Sequence, residues 1–441
     1  MNMKNGIACL GVASLLALTA GAEEIAYTCR DGRGESFHLS LKRTDAVAVR
    51  SVIVPIEPGK AMEISADAEF RAADGKPTYN DCMIIASWVD VRAKVRHGGG
   101  DINVPDRAAS WKFCQRDYVR FSDRVDGGVT YRAFSDTFNV PTNAIALELE
   151  CFVKSRDCEV DFRSVRARAV PALPKRIARI VLANPRKAGK TITERVALVE
   201  KALEEAFAKV ERPDLVMACS EVFSTSGNPD PKDKWERVPE GPTSQLLIRY
   251  AKKYHCYMAG GVCEREANGV EYNSAVLFDR EGRLVGKYHK VHLTTGEFLG
   301  GKLAGDSYSV FETDFGRIGF CICWDNFFPE TMRQLQLNGA ELVIFPIAAT
   351  SSNRLENVFR TRALDTGMPL AVQFRQGNLP NRIIGGDGST LAEAFRVNEP
   401  CWADIDLAYR WRVWWLSVGA AYGDPYQLYD AERNPATYLN R

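Results

Sequence analysis

Three side chains, far apart along the chain, have the types needed for covalent acyl transfer: Glu221, Lys290 and Cys323. A cysteine thiol is a strong nucleophile only as its thiolate, so it needs a base within reach. A carboxylate can be that base, and an ammonium can stabilise the oxyanion that forms when sulfur attacks a carbonyl. Cys323 lies in Arg317-Ile-Gly-Phe-Cys-Ile-Cys-Trp-Asp-Asn-Phe-Phe-Pro-Glu330. The stretch starts as an apolar run of strand type, Ile318 to Ile322. It bends through Cys323-Trp-Asp-Asn326 and enters a helix at Phe328-Pro329-Glu330. Proline suits the first helical position, and Glu330 complements the positive end of the helix dipole. A strand–turn–helix bend exposes a nucleophile and leaves backbone N–H groups free, so the Trp324 N–H is a candidate oxyanion donor. Glu221 follows the apolar run Asp214 to Ala218. Lys290 follows the run Ser274 to Phe278 and the turn Arg280-Glu-Gly-Arg283. Strand ends of α/β sheets are where sites are built.

Taken singly, each residue has a duller reading. Cys323 could be a buried small hydrophobe, Glu221 a surface or helix-start carboxylate, and Lys290 one more lysine in a basic stretch with Arg283 and Lys287. His289 and His292 flank Lys290 and make a Cys–His arrangement the rival. Cys321 and Cys323 lack a second Cys/His pair at zinc spacing, so no metal and no cofactor is assigned.

The elements that must position these groups divide the chain of 441 residues. Residues 1–22 read as a secretory signal peptide: Lys4, an apolar run Ile7 to Ala20, and small residues Ala20-Gly21-Ala22. A secreted or periplasmic location follows. From 23 to 170 apolar residues alternate with polar ones, as in Met62, Ile64, Ala66, Ala68 and Phe70, or Ile145, Leu147, Leu149, Cys151 and Val153. Period two means half-buried strands, and an all-β sandwich of jelly-roll type is expected. Trp88 and Trp111 are either core residues or sugar-stacking platforms. Residues 171–176, with Pro171 and Pro174, form the linker. From 177 to 441 strands alternate with helices: Ile177 to Leu182, a helix after a Thr191/Glu194 capping box, Leu342 to Phe345, helices at Ser244 to Tyr254 and Pro329 to Leu337. A formal charge of +1 gives no electrostatic argument for nucleic acid. Twelve cysteines include Cys9 in the leader. Cys82–Cys114 and Cys151–Cys158 are candidate disulfides.

The second half resembles the nitrilase superfamily, the carbon–nitrogen hydrolases. The blocks that carry the resemblance are Asp214 to Phe223, Tyr272 to Gly282, Tyr288-His-Lys-Val-His-Leu293, Gly316 to Glu330, Asn338 to Pro346 and Arg360 to Asp365. The resemblance implies a four-layer αββα sandwich, a Glu221–Lys290–Cys323 triad, and a supporting role for Glu297. Two single-residue departures stand out, Ser220 where the family usually has proline and His289 where it usually has arginine; the stretch Phe374 to Arg382 also differs from the family's usual asparagine-containing loop. Cys-Trp-Asp is closest to the amidase and carbamoylase branches, which implies a linear amide or N-carbamoyl amine as substrate and a homodimer as the assembly. The first half loosely resembles carbohydrate-binding sandwiches, so a glycan is its candidate partner. Two alternatives stay open: a glycan-binding protein with an inactive hydrolase-like domain, and a soluble acyltransferase of the same superfamily. The aromatic tail Trp411, Trp414, Trp415, Tyr422 and Tyr426 could close the pocket, line an interface or pack in a core.

Overall fold

A computed structural model describes residues 34–42, 47–72, 81–90, 113–154, 157–223, 233–348, 353–375, 380–414, 416–433 and 437. The signal-peptide reading of residues 1–22, and Trp111 and Trp415, lie outside the described residues. Two compact units divide the chain at Leu173/Pro174, and the chain returns to the first unit from Arg412 onward. The assignment of 177–441 to one domain is therefore corrected at its C-terminal end.

In the first unit two open sheets enclose one apolar core. The five-stranded sheet runs Glu35–Leu41, Cys158–Pro171, Lys60–Ala72, Val129–Asn139, Phe121–Asp126, antiparallel throughout. The six-stranded sheet runs Val47–Pro55, Ala144–Lys154, Cys82–Asp90, Phe113–Tyr118, then Tyr422–Gly423 and Val413–Trp414. The alternation read from the sequence is the pleat: Ile64, Ala66, Ala68 and Phe70 face Ile84, Trp88, Leu147 and Leu149. Trp88 is a core residue, fully buried, with its indole N–H on Asp117. None of the ten described cysteines is in a disulfide, so neither candidate pair forms.

The last two strands of the six-stranded sheet come from the tail and carry two of its aromatic residues, Trp414 and Tyr422. Trp414 packs edge-on against Tyr422, Arg116 donates to the Val418 carbonyl, and Tyr118 donates to Glu432. The short helix Pro425–Ala431 puts Leu428 into a cluster with Val89, Phe113, Ala146, Val418 and Ala421.

The second unit holds two six-stranded sheets. One runs Leu284–His289, Glu271–Phe278, Tyr257–Arg265, Leu215–Cys219, Ile177–Leu182, Cys401–Asp406. The other runs Val310–Glu312, Arg317–Phe320, Leu342–Ile347, Leu370–Phe374, Asn381–Ile384, Thr390–Ala394. Each has three parallel strands in the middle and antiparallel strands outside them. The central strands are buried along their whole length because both faces are covered. Ile180, Met217, Ala259 and Leu277 of one sheet meet Ile318, Phe320, Ile344 and Ala371 of the other. On the outer face of the first sheet, Val181, Val216 and Val276 pack on the helices Ile192–Lys209 and Pro242–Tyr254. The Thr191/Glu194 capping box starts the first of these as expected. Helices Pro329–Leu337 and Asn353–Thr366 cover the other sheet, where a Cβ on Gly319 would come within 3.0 Å of Leu335. The result is helix, sheet, sheet, helix. Among the described residues no helix is long and apolar enough to cross a bilayer.

If the tail completes the first core, Leu428→Ala should lower the first unit's stability by about 2–4 kcal/mol. The measurement is urea unfolding followed by hydrogen exchange, with the loss confined to the first unit. Unchanged exchange in Cys82–Asp90 and Phe113–Tyr118 would contradict it.

Candidate active site

Lys290 sits at the centre of a buried cluster, with 1% of its side chain exposed. Its Nζ donates to Glu221 Oε1 at 2.8 Å and to Glu297 Oε2 at 2.8 Å. Asn273 Nδ2 bridges the same carboxylates, 2.8 Å from Glu221 and 2.5 Å from Glu297. The other oxygen of Glu221 accepts the Ala348 N–H at 2.8 Å. Cys323 lies beside the same groups: the Glu221 carboxylate, the Lys290 ammonium and the Ala348 N–H all act on its thiol. The structure thus brings Glu221, Lys290, Cys323 and Glu297 together.

Local structure explains each placement. Glu221 follows the strand Leu215–Cys219, and the residue after it, Val222, has φ +42°. That is a strained conformation for a β-branched residue. Gly261 on the neighbouring strand is obligatory, since a Cβ there would lie 2.4 Å from the Ser220 carbonyl. Lys290 follows Leu284–His289, its N–H on the Asn273 carbonyl at 2.9 Å. Glu297 belongs to the helix Thr295–Leu299, where it caps Thr294 with the oxygen that also holds Lys290. Cys323, at φ +46°, opens the tight turn Cys323–Phe327 after the strand Arg317–Phe320. Within that turn the Asp325 N–H bonds to the Ile322 carbonyl, whereas the Trp324 N–H has no acceptor among the described residues.

The electrostatics are those of a buried ion cluster. Burial pulls the Lys290 ammonium down, but Glu221, Cys323 and Glu297 outweigh it and push its pKa up. Burial raises Glu297, and Lys290 reverses that, leaving it below the usual carboxylate range. The Cys323 thiol is pushed up to about 12, by burial first and then by the Glu221 charge, against the pull of Lys290. At neutral pH the resting thiol is therefore protonated beside a carboxylate that can take its proton.

Glu221 and Lys290 belong to one sheet and Cys323 to the other, so the sheets must be tied. Ser220 does this on one side: its hydroxyl donates to the Gln373 carbonyl at 2.6 Å and accepts the Ile347 N–H at 2.9 Å. Asp325 does it on the other. Fully buried, it accepts the Tyr288 hydroxyl at 2.8 Å, the His292 N–H at 2.7 Å and the Ile322 N–H at 3.0 Å. His292 Nδ1 also lies 3.0 Å from it. His289 turns to the other face of its strand, stacks on Tyr272 and meets Glu264 at 3.1 Å. The sulfur's polar neighbours are Glu221 and Ala348, and the Cys–His arrangement has no support in this geometry.

Asn273, Asp325 and Ser220 carry no role in the sequence reading, although each lies in a block that bore the resemblance. A polar residue inside an apolar strand (Asn273) and an acid two residues after the cysteine (Asp325) were the available signals. Among the described residues, Glu264, Glu266 and His289 have ligand atoms close enough for a metal. The Lys287 ammonium already lies between the two carboxylates and supplies their positive charge.

The second half of the chain is similar to known proteins. A family model described as carbon–nitrogen hydrolase matches residues 178–413. A probable nitrilase of Schizosaccharomyces pombe is 36% identical over 169 residues, 35% of this chain and 61% of that protein. An omega-amidase of Xenopus tropicalis is 30% identical over 194 residues, 40% of this chain and 70% of that protein. The chain thus spans about three fifths of the first of these relatives. A solved nitrilase-superfamily member from Saccharomyces cerevisiae aligns with TM-score 0.48 and 20% identity over 53% of this chain and 91% of its own.

Tyr288→Phe removes one of the donors to Asp325 and should cost about 1 kcal/mol. Asp325→Ala strands all of them and should cost about 3 kcal/mol or more. Denaturant unfolding of the two variants checks the ranking; equal losses would show that Asp325 is not the tie between the sheets.

Proposed function

The chain belongs to the carbon–nitrogen hydrolase family, and on that premise we propose that it hydrolyses a linear amide or N-carbamoyl amine through a thioester on Cys323. Glu221 takes the thiol proton as sulfur attacks the carbonyl carbon. The oxyanion of the tetrahedral intermediate is met by the Lys290 ammonium and the Trp324 N–H. Collapse breaks the C–N bond, and Glu221 passes its proton to the departing amine. Water then attacks the thioester, with Glu221 as base. The acid leaves, and the proton returns to sulfur. Glu297 and Asn273 hold Lys290 and Glu221 in register throughout.

The observation that carries the reading is Glu221 standing between the Lys290 ammonium and the protonated thiol. A thiol with its pKa near 12 cannot rely on a resting thiolate, and the adjoining carboxylate removes that need. Three further points belong to the same proposal: residues 1–22 direct secretion or periplasmic export, the first unit is a jelly-roll-type accessory with a glycan as candidate ligand, and the protein pairs as a homodimer.

Ammonia release over a panel of amides and carbamoyl compounds, with Cys323→Ala as blank, tests the activity. Cys323→Ser and Glu221→Gln should each nearly abolish turnover. Lys290→Met should cost about 3–4 kcal/mol of barrier. Near wild-type rates in any of them would sink the assignment.

The pH dependence is a separate test. Alkylation of Cys323 by iodoacetamide should keep rising with pH toward an inflection near 12. Glu221 raises the thiol pKa, so Glu221→Gln must lower that inflection even as turnover is lost. An unchanged or higher inflection in that variant would contradict the pairing of thiol and carboxylate.

A further inference from the structure

The strand that leads to Glu221 carries one residue too many. Where Leu215–Cys219 runs parallel to Tyr257–Arg265, Met217 stands opposite Ala259 and Cys219 opposite Gly260, so Ala218 is an insertion. Such a bulge interrupts the ladder and re-aims the side chains beyond it. Met217 faces the core between the two sheets, whereas Ala218 and Cys219 both pack on the side of the outer helices. The alternation slips by one residue there. Ser220 consequently turns back toward the other sheet, where it meets Gln373 and Ile347. With regular alternation it would face the helices. The placing of Glu221, next in the chain, therefore depends on what holds the bulge.

One side chain from the sheet of Cys323 does so. Gln373 lies in the strand Leu370–Phe374 and is fully buried. Its Nε2 donates to the Met217 carbonyl at 3.0 Å and to the Ala183 carbonyl. Ala183 follows the strand Ile177–Leu182, and its own N–H bonds to the same Met217 carbonyl at 3.0 Å. One amide thus joins two neighbouring chain segments of the Glu221 sheet at the bulge. Its Oε1 is buried and has no hydrogen-bond partner among the described residues. An unpaired buried acceptor is costly, and the orientation that leaves it so is the one that gives both carbonyls a donor. The main chain of Gln373 continues the connection. Its carbonyl accepts the Ser220 hydroxyl at 2.6 Å. Beside it Ile347 pairs with Phe374, and the next N–H, that of Ala348, donates to Glu221 at 2.8 Å.

We propose that Gln373 is a positioning residue for Glu221: its amide, with the Ser220 hydroxyl on its carbonyl, fastens the bulge to the sheet that carries Cys323 and so sets how closely the carboxylate approaches the sulfur. Its effect on turnover rests on the hydrolase reading above; its effect on the thiol does not.

Gln373→Met keeps the volume of the side chain and removes both amide atoms, the unpaired acceptor included. The fold should survive, because the Met217 carbonyl keeps the Ala183 N–H and the Ala183 carbonyl keeps the Asn381 amide at 3.5 Å. The readout is the pH profile of Cys323 alkylation, taken with and without Glu221→Gln as a double-mutant cycle. The charged groups that act on the thiol are Glu221 and Lys290, with Glu297 behind Lys290. In the unmodified protein Glu221→Gln lowers the inflection, since the Glu221 charge raises it. In Gln373→Met that step should be smaller, because the carboxylate no longer abuts the sulfur. Tyr288→Phe, which removes a bond between the sheets on the Asp325 side, should lower stability and leave the step unchanged. With an amide that the enzyme turns over, kcat of Gln373→Met should fall about tenfold or more at little change in KM, since a misplacement of about 1 Å can cost on the order of 100-fold. An unchanged step, an unchanged kcat, or a step that shrinks equally in Tyr288→Phe would overturn the role. If Gln373→Met does not fold, the same outcomes decide in Ser220→Ala, which opens the other bond of the tie. A smaller step in a protein that hydrolyses no amide defeats the hydrolase and leaves the positioning role standing. Hydrolysis with an unchanged step does the reverse.

Discussion

A cation with almost no access to water is the constraint from which the rest of the second unit follows. An isolated ammonium at the depth of Lys290 would lose its proton or unfold its surroundings. Two carboxylates prevent this, and both are held by groups that do other structural work: Glu221 by Asn273 and the Ala348 N–H, Glu297 by its cap on Thr294. The cluster is therefore rigid before any substrate arrives, which is the condition under which a charge stabilises an oxyanion without reorganising. It also explains the thiol. Burial first, and then the charge of Glu221 that helps keep Lys290 protonated, push the Cys323 thiol up, and a neutral thiol is the state that this environment favours.

Glu221 and Cys323 stand on different sheets, and apolar packing alone does not fix how such sheets register. Side-chain packing tolerates small slides, whereas hydrogen bonds between buried groups do not. Ser220 and Asp325 supply those bonds at two places around the site. The replacement of proline by Ser220 is thus a substitution with a stated use: its hydroxyl donates and accepts across the interface between the sheets. His289, the other departure, faces away from the sulfur and joins the Glu264 network instead. Backbone strain is borne just past two strand ends, at Val222 beside Glu221 and at Cys323 itself.

Much of this was legible in the amino-acid order because it is local. The run Ile318 to Ile322 followed by a bend and by proline at the first helical position, the Thr191/Glu194 box, and the alternation from Met62 to Phe70 each obey rules that span a few residues. Such rules place Glu221, Lys290 and Cys323 at strand ends, and the family resemblance groups them.

The remainder depended on contacts between distant parts of the chain, which no local pattern encodes. The tail from Arg412 onward reads as the end of the second domain, yet its strands complete the first, because an edge strand at Phe113–Tyr118 needs a partner and Leu428 fills a gap in that core. Neither candidate disulfide forms, because connectivity is set by the fold and not by the order of the cysteines. Asp325 as an inter-sheet tie and Asn273 as a bridge came only with the coordinates. The amino-acid order alone determined which residue types stand at the strand ends and which elements bear them. Tertiary structure decided which groups share a buried charge, because burial and pairing are properties of neighbours in space.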